Sequence, residues 1–229
     1  MSFHDRLTEA TRHEREFLLA APAIREALAG NITLPRYLAF LSQAWHHVRH
    51  TVPLLMAAGS HLPSRLAWLQ KDLLHYLQEE IGHDEWILND IRAAGGDVPT
   101  VTASVPHPAT DALVAYVYDN VQRRNPVGIF GMVFVLEGTS VALALHAADR
   151  IQATLALADG AFTYLRSHGT LDRQHVDDLK SILARLTEPA DQAAIVQCAR
   201  AMFWLYGQMF RSLDEVTVPL AAAGARKRA

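Results

Sequence analysis

The chain has 229 residues, of which half are hydrophobic and a fifth charged, enough to bury a sizeable core in one domain or two. The formal net charge is -3 and the only concentrated basic run is Arg226 to Arg228, so the electrostatic footprint of a nucleic-acid-binding protein is missing. Because Cys198 is the single cysteine and the N-terminal stretch lacks the apolar core of a signal peptide, we expect a cytoplasmic protein that binds neither nucleic acid nor membrane.

Apolar residues at helical spacing appear first between residues 34 and 55, in LPRYLAFLSQAWHHVRHTVPLL. Pro35 stands near the start of this helix, where proline is tolerated, and Pro53 is expected to kink or end it. The next apolar stripe covers residues 64–94 and stops at a Gly-Gly pair, which is a C-terminal helix signal. Three prolines between residues 99 and 108 then predict a loop.

Helical patterns resume after this loop and continue nearly to the C-terminus. They cover residues 111–124, 127–150, 152–166, 172–187 and 191–216. No alternating strand pattern of any length appears, and the connections are short. We therefore predict a single all-α domain over residues 1–220, followed by a flexible basic tail at residues 221–229.

The longest apolar run lies between Pro126 and Asp149, and its length alone would allow a membrane-spanning helix. The run is interrupted by Glu137, His146, two hydroxyl residues and glycines, and neither a basic nor an aromatic belt flanks it. These features favour the central buried helix of a bundle.

Polar side chains take apolar positions on the buried stripes of three predicted helices. At helical spacing, Glu80 and His83 continue the stripe that runs through residues 66–76. Asp172 and His175 precede, in the same way, the stripe that begins at residue 176. Glu137 is the only acidic residue in its long apolar segment, so its carboxylate cannot avoid burial.

A buried carboxylate must be paired, protonated or bound to a metal, because burying it in isolation is costly. Carboxylate oxygens together with neutral imidazole suit redox-active iron or manganese, and an inward-facing acid-x-x-His pair is one way of building a dimetal centre in a bundle. We therefore predict that three acids and three histidines form one metal centre, namely Glu80, Glu137, Asp172, His83, His168 and His175.

The two acidic parts of this pattern also have explanations that need no metal. Glu80 and His83 have the spacing of a surface ion pair, and Glu79 is an alternative ligand to Glu80. Glu137 is also consistent with a basic or hydroxyl hydrogen-bond partner, for which the nearest hydroxyls are Thr139 and Ser140.

The stretch around His168 has a simpler explanation as a helix break. There His168 closes one helix, Gly169 follows its end, and Thr170 or Asp172 caps the next helix. That explanation leaves His175 unaccounted for. In the metal hypothesis Gly169 is instead the bend that allows His168 to reach the same point as Asp172 and His175.

Three motifs carry a resemblance to a known family: Glu80-x-x-His83, the lone acid in VLEGTS, and YLRSHGTLDRQH. They resemble the heme-oxygenase-like diiron oxidases, often called iron-containing redox enzymes, which are relatives of the TenA and PqqC proteins. The resemblance covers about residues 35–186, and the final His-x-x-x-Asp-x-x-His element is its most specific part. It implies a bundle of seven to eight helices of heme-oxygenase topology, frequently dimeric, that holds two irons per chain, with manganese as an alternative.

By this resemblance, the ligands come from three core helices. Glu80 and His83 belong to the first, Glu137 to the second, and the His-x-x-x-Asp-x-x-His element to the third. Some members place the first acidic ligand two turns before the histidine. This chain has Tyr76 there, so the nearer Glu80 must serve.

The resemblance further implies a non-heme iron oxidase or oxygenase that uses dioxygen on a small organic substrate, with an external electron donor as a further partner. The family's outcomes include decarboxylation, C–C cleavage and N-oxygenation. Candidates for the pocket, or for positions behind the ligands, are His46, His47, His50, Tyr76, Glu79 and Tyr164. The histidines of WHHVRH, His47 among them, have a simpler alternative as a polar helix face or as hydrogen-bonding groups.

Three rival functions remain on the same bundle. A TenA-type thiamin-salvage hydrolase would need a nucleophilic cysteine, whereas Cys198 has the surroundings of a small packed residue. A heme oxygenase would need a proximal histidine on the first helix, for which His13 is the candidate. A cofactorless oxidase or a metal-free binding protein would keep the buried acids and histidines as a hydrogen-bonded network.

Overall fold

The computed structural model describes residues 1–222, except for the side chains of residues 170–174. The predicted all-α class is confirmed, and these residues form no β-strand. The helices are α1 Phe3–Ala10, α2 Arg12–Leu19, α3 Pro22–Ala29, α4 Leu34–Val48, α5 Thr51–His61, α6 Leu69–Glu80, α7 His83–Ala93, α8 Val98–Ala103, α9 Pro108–Asp119, α10 Ile129–Leu155, α11 Thr163–Arg185 and α12 Pro189–Arg211. Residues 223–229, most of the predicted basic tail, lie outside the described residues.

Local sequence signals set several of the helix ends. Ser2 and Asp5 form a capping box at the start of α1, in which each side chain accepts a hydrogen bond from the other residue's backbone N–H. The Thr33 side chain caps α4. Gly30 and Gly95 have positive φ just beyond α3 and α7, a conformation that glycine adopts without a Cβ penalty.

The segment predicted as one helix over residues 34–55 forms two helices, with a break between α4 and α5. Pro53 lies in the first turn of α5, where a missing N–H removes no helical hydrogen bond. Most of α4 is buried, including both His46 and His47. The break therefore leaves α4 as an interior helix that carries histidines into the core.

The stripe predicted over residues 64–94 is also interrupted. α6 ends at Glu80, and Gly82 has a φ of 90° before α7 begins at His83. Glu80 and His83 are consequently not one turn apart on a continuous helix, which corrects the sequence interpretation. Their three-residue separation spans a helix break, and the two side chains meet across it.

The expected break at Gly169 is wrong, because α11 runs without interruption through this residue. The chain turns earlier, between α10 and α11, where Ala156 has a φ of 50°. A Cβ on Gly169 would lie 2.7 Å from Leu145 Cγ. Gly169 therefore allows α10 and α11 to approach closely and does not bend the chain, and the helix that was expected to begin after this glycine does not start there.

The long helix α10 lies at the centre of the bundle and packs against α3, α11 and α12. The segment Pro126–Leu155 is long and apolar enough to cross a membrane by length and composition, but most of its apolar window is buried inside the protein. This burial is what a central bundle helix requires.

The C-terminal segment is fixed to the chain that follows α7. Asp97 N donates to Pro219 O and Ala221 N donates to Gly95 O, both at 2.9 Å. Gly96 and Leu220 thereby form an isolated antiparallel bridge.

Candidate metal centre

Three stretches of backbone bring histidines and carboxylates to one place in the core. Glu80 is the last residue of α6 and His83 the first of α7. Glu137 lies in the first third of α10. His168 and His175 lie seven residues apart on α11, which is two helical turns and places them on the same face.

Glu80, His83 and His168 form the first of two clusters with the spacing of metal ligands. One potential ligand atom from each residue lies within 4.8 Å of the others. Glu80 Oε2 lies 3.1 Å from His83 Nδ1, and the His83 and His168 rings are edge to face at 4.6 Å. His168 Nδ1 donates to the Tyr164 carbonyl at 3.0 Å, so the lone pair of its Nε2 is available to the cluster.

Glu80, Glu137 and His175 form the second cluster, again with ligand atoms within 4.8 Å of one another. His175 Nδ1 lies 3.4 Å from Glu137 Oε1. His83, Glu137 and His175 are all buried, and Glu80 is partly buried. Glu80 belongs to both clusters, so a single carboxylate lies between two places where a cation would find oxygen and nitrogen ligands.

Glu79 and Tyr76 lie behind His175. Glu79 Oε2 is 2.9 Å from His175 Nε2, a close contact that is not aligned as a hydrogen bond. The Tyr76 hydroxyl donates to the His175 backbone carbonyl at 3.0 Å and so ties α6 to α11. The sequence left Glu79 and Glu80 as alternative ligands. Glu80 is the acid that both clusters share, whereas Glu79 contacts the far side of the His175 ring.

Asp172, the remaining predicted ligand, has a side chain that lies outside the described residues. Its backbone belongs to α11, between His168 and His175. The structure thus brings five of the six predicted ligands together.

Electrostatics within the site favour an ionised Glu80. Burial acts to raise the pKa of this carboxyl, but the hydrogen bond to His83 and the nearby imidazoles of His83, His168 and His175 outweigh burial and hold the pKa below its usual value. A carboxylate that is charged and close to imidazole nitrogens is the form in which a glutamate binds a metal cation.

An apolar cavity of about 130 Å³ opens beside the clusters. Glu80, Glu137 and His168 line one part of it, together with the predicted pocket residues Tyr76 and Tyr164. The rest of the wall is mainly aliphatic and aromatic, and it includes Ile24, Leu55, Val133, Leu143, Ile151 and Phe210. No lysine or arginine is among the lining residues of the described chain.

The three histidines of α4 and its end have different surroundings. His46 Nε2 is hydrogen-bonded to Ser104 Oγ at 2.9 Å, and His50 Nδ1 to the Tyr118 hydroxyl at 3.2 Å. Neither histidine lines the cavity, whereas His47, between them, does. A run of adjacent histidines on an apolar helix does not by itself show which of them faces the cavity, because that depends on how α4 packs.

Asp90 is a residue near the site that sequence reasoning missed. Its carboxylate is fully buried and accepts hydrogen bonds from the backbone N–H groups of Thr163 at 2.9 Å and Tyr164 at 2.8 Å. Asp90 on α7 therefore fixes the start of α11, the helix that carries His168 and His175. Burial raises its pKa to about 6, against the lowering effect of these hydrogen bonds.

The residues that rival functions would need are not at the cavity. Cys198 is fully buried, and burial raises the pKa of its thiol to about 12, so a reactive thiolate is disfavoured. His13 lies on the exposed face of α2 beside Glu9 and Arg12, in a separate polar groove.

Fold and site together define a heme-oxygenase-like helical bundle with a buried carboxylate–histidine cluster. The described chain is similar to a heme-oxygenase-like domain of unknown function from Shewanella denitrificans, with a TM-score of 0.83, 23% identity and coverage of 94% of this chain and 93% of that one. It is also similar to a TenA homolog from Pseudomonas syringae, with a TM-score of 0.80, 11% identity and 93% coverage of both chains. Heme oxygenase from Leptospira interrogans matches with a TM-score of 0.73 and 14% identity, over 93% of this chain and 100% of that one.

The family model for iron-containing redox enzymes matches residues 38–207, and the chain belongs to this family. No curated protein matches the sequence significantly. The solved structures establish the heme-oxygenase-like fold, which confirms the predicted fold class.

Proposed function

We propose that this protein is a non-heme diiron oxidase or oxygenase that uses dioxygen to oxidise a small organic substrate bound in the apolar cavity. The observation that carries this proposal is the position of Glu80 between the two ligand clusters. A hydrogen-bonded network without metal has no need of one acid shared between two such groups. A dimetal centre uses that arrangement, since a carboxylate has two oxygens to offer.

The donor set fits iron, because imidazole nitrogen and carboxylate oxygen are ligands of non-heme iron centres. In this proposal Glu80, His83 and His168 would hold one ion, and Glu80, Glu137 and His175 would hold the other. Asp172 is proposed as a further ligand from the same helix α11. Manganese, which accepts similar ligands, is the alternative metal.

When bound, reduced iron would supply the electrons and the open coordination positions for oxidation by dioxygen, with an external donor restoring the reduced state. The protein's own residues would hold the substrate and limit access of water. The aliphatic wall formed by residues such as Val133, Leu143 and Ile151 binds an apolar molecular body. Glu79 contacts the far side of His175, and Tyr76 fixes the backbone of this residue, so both would limit its movement.

A second candidate function is a TenA- or PqqC-like protein without a diiron site. The 3.1 Å contact between Glu80 and His83 supports it, because this pair satisfies part of the buried charge without metal. The buried thiol of Cys198 argues against the thiamin-salvage hydrolase among these candidates, and the exposed His13 argues against a heme oxygenase.

The deciding experiment is anaerobic reconstitution with ferrous iron, followed by metal analysis and exposure to dioxygen. We expect about two irons per chain, as in other dimetal carboxylate bundles. Both Glu137→Ala and His175→Ala should lower this number. A matched control is His46→Ala, which removes a buried histidine that is hydrogen-bonded to Ser104 away from the cavity, and which should leave iron binding unchanged. Stoichiometric heme binding that depends on His13, or an iron content unaffected by both substitutions, would contradict the proposal.

A further inference from the structure

His47 is a polar residue in the cavity wall that the metal centre does not use. Its side chain lies on α4, is only 4% exposed and lines the cavity. It belongs to neither cluster of metal-type ligands in the described chain. Its Nε2 atom is buried and has no hydrogen-bond partner among the described residues.

A buried ring nitrogen without a partner is unfavourable, because the hydrogen bond that it made to water in the unfolded chain is lost. The two neighbouring histidines each have one ring nitrogen in a side-chain hydrogen bond. His46 Nε2 bonds Ser104, and His50 Nδ1 bonds Tyr118. His46 Nδ1 is also buried without a partner, but His46 does not line the cavity. Among these three histidines, His47 is thus the one whose unpartnered nitrogen belongs to a cavity-lining residue.

The ring of His47 is neutral and held in place. Burial, followed by the neighbouring His168, His50 and His46, lowers the pKa of His47 to about 3. Its ring packs edge to face against Tyr206, with centroids 5.7 Å apart. A neutral imidazole offers one donor and one acceptor but no positive charge. It therefore suits an uncharged hydrogen-bonding partner, because it supplies no counter-charge to offset the burial of an anion.

The rest of the cavity limits what that partner can be. Ser140 Oγ, on α10, is a second buried lining atom without a hydrogen bond among the described residues. No lysine or arginine of the described chain lines the cavity, and most of the wall is apolar. The complementary ligand is a mainly apolar molecule that carries a neutral polar group.

We propose that the cavity binds an apolar molecule bearing a hydroxyl or carbonyl group, and that His47 Nε2 is the hydrogen-bonding partner of this group. Describing this molecule as the substrate of the oxidase rests on the proposed function. The binding itself requires no metal, so the two proposals can fail separately.

The test compares two small probes of similar shape, benzyl alcohol and toluene, by titration calorimetry on the full chain as purified, with its metal content measured. His47→Phe keeps an aromatic ring but removes the ring nitrogens. We expect it to weaken benzyl alcohol binding about fivefold, the effect of one neutral hydrogen bond. Toluene affinity should stay within about twofold. His46→Phe is the matched control and should change neither probe, because His46 does not line the cavity.

A second readout is the ¹⁵N NMR shift of the His47 imidazole, which should change with benzyl alcohol and stay constant with toluene. If His47→Phe does not fold, as judged by circular dichroism, His47→Leu replaces it. Equal weakening of both probes, an unchanged alcohol affinity, or a wild-type chain that binds neither probe would overturn the proposal. Selective alcohol binding in a chain that cannot be loaded with iron would support the His47 site and refute the diiron function.

Discussion

Two glycines near the candidate centre, Gly82 and Gly169, have opposite effects on the helices around them. Gly82 adopts a φ of 90° and separates α6 from α7, although the spacing of Glu80 and His83 suggested one continuous helix. Gly169 stays inside α11, although its position suggested a break. The difference teaches that glycine permits a break without specifying one. Packing decides, because a Cβ at Gly169 would lie 2.7 Å from Leu145 Cγ, whereas nothing lies within 4 Å of such an atom at Gly82.

The regions around Gly82 and Gly169 both contribute histidines close to Glu80. Replacing Glu80 should therefore have the largest effect on iron binding. We predict that Glu80→Ala lowers the iron content of the reconstituted chain to below one per chain, since Glu80 belongs to both clusters. His83→Ala, on the other side of the break at Gly82, should remove iron from one cluster only. Metal analysis after gel filtration measures both. Equal losses in the two variants would show that the clusters do not bind metal separately.

The close approach at Gly169 should be the most sensitive packing contact of the two regions. Gly169→Val should lower the free energy of unfolding by about 1–3 kcal/mol, because the larger side chain overpacks the contact with α10. The control is Gly138→Ala, also inside a helix but with open space around the new methyl group, and it should stabilise by about 0.5–1 kcal/mol. Urea denaturation measures both, and a neutral Gly169→Val would contradict the packing explanation.

Asp90 connects the two regions, since it lies on α7 and binds the start of α11. Its pKa is raised from 3.8 to about 6 in the folded protein, so between these values the folded chain binds more protons than the unfolded chain. This group's contribution to stability is therefore largest below about pH 4 and falls as the pH rises through 6, by roughly 3 kcal/mol in total.

Asp90→Asn should remove that dependence. The measurement is the difference in free energy of unfolding between wild type and variant from pH 4 to 7. A difference that stays constant over this range would mean that Asp90 does not titrate as described.

The smallest effect is expected at Gly82. Gly82→Ala should destabilise the protein by about 1 kcal/mol, since an L-residue is strained at positive φ even in open space. Gly82→Asn should cost less, because asparagine tolerates left-handed backbone better. Thermal denaturation of the two variants compares them, and equal losses would show that backbone conformation is not the cause.

The helical class, the family and the ligand types could be predicted from the sequence, because they depend on local periodicity and on the cost of burying acids such as Glu137. Whether a helix breaks at Gly82 and Gly169 could not be predicted, because this depends on contacts with residues such as Leu145 that are distant in the chain. The same holds for His47, which was predicted only as one of three similar histidines. Its orientation follows from the packing of α4.

Trp86 adds a practical consequence. Its ring stacks on the imidazole of His83 at 4.1 Å and lies 5.9 Å from that of His168. The chain's other tryptophans, Trp45, Trp68 and Trp204, have other aromatic or guanidinium neighbours, such as Arg185 over Trp68 and Phe17 beside Trp204. Trp86 is thus a natural optical probe for the first cluster, and its fluorescence, isolated by comparison with a Trp86→Phe variant, would follow the arrival of a quenching metal ion in real time.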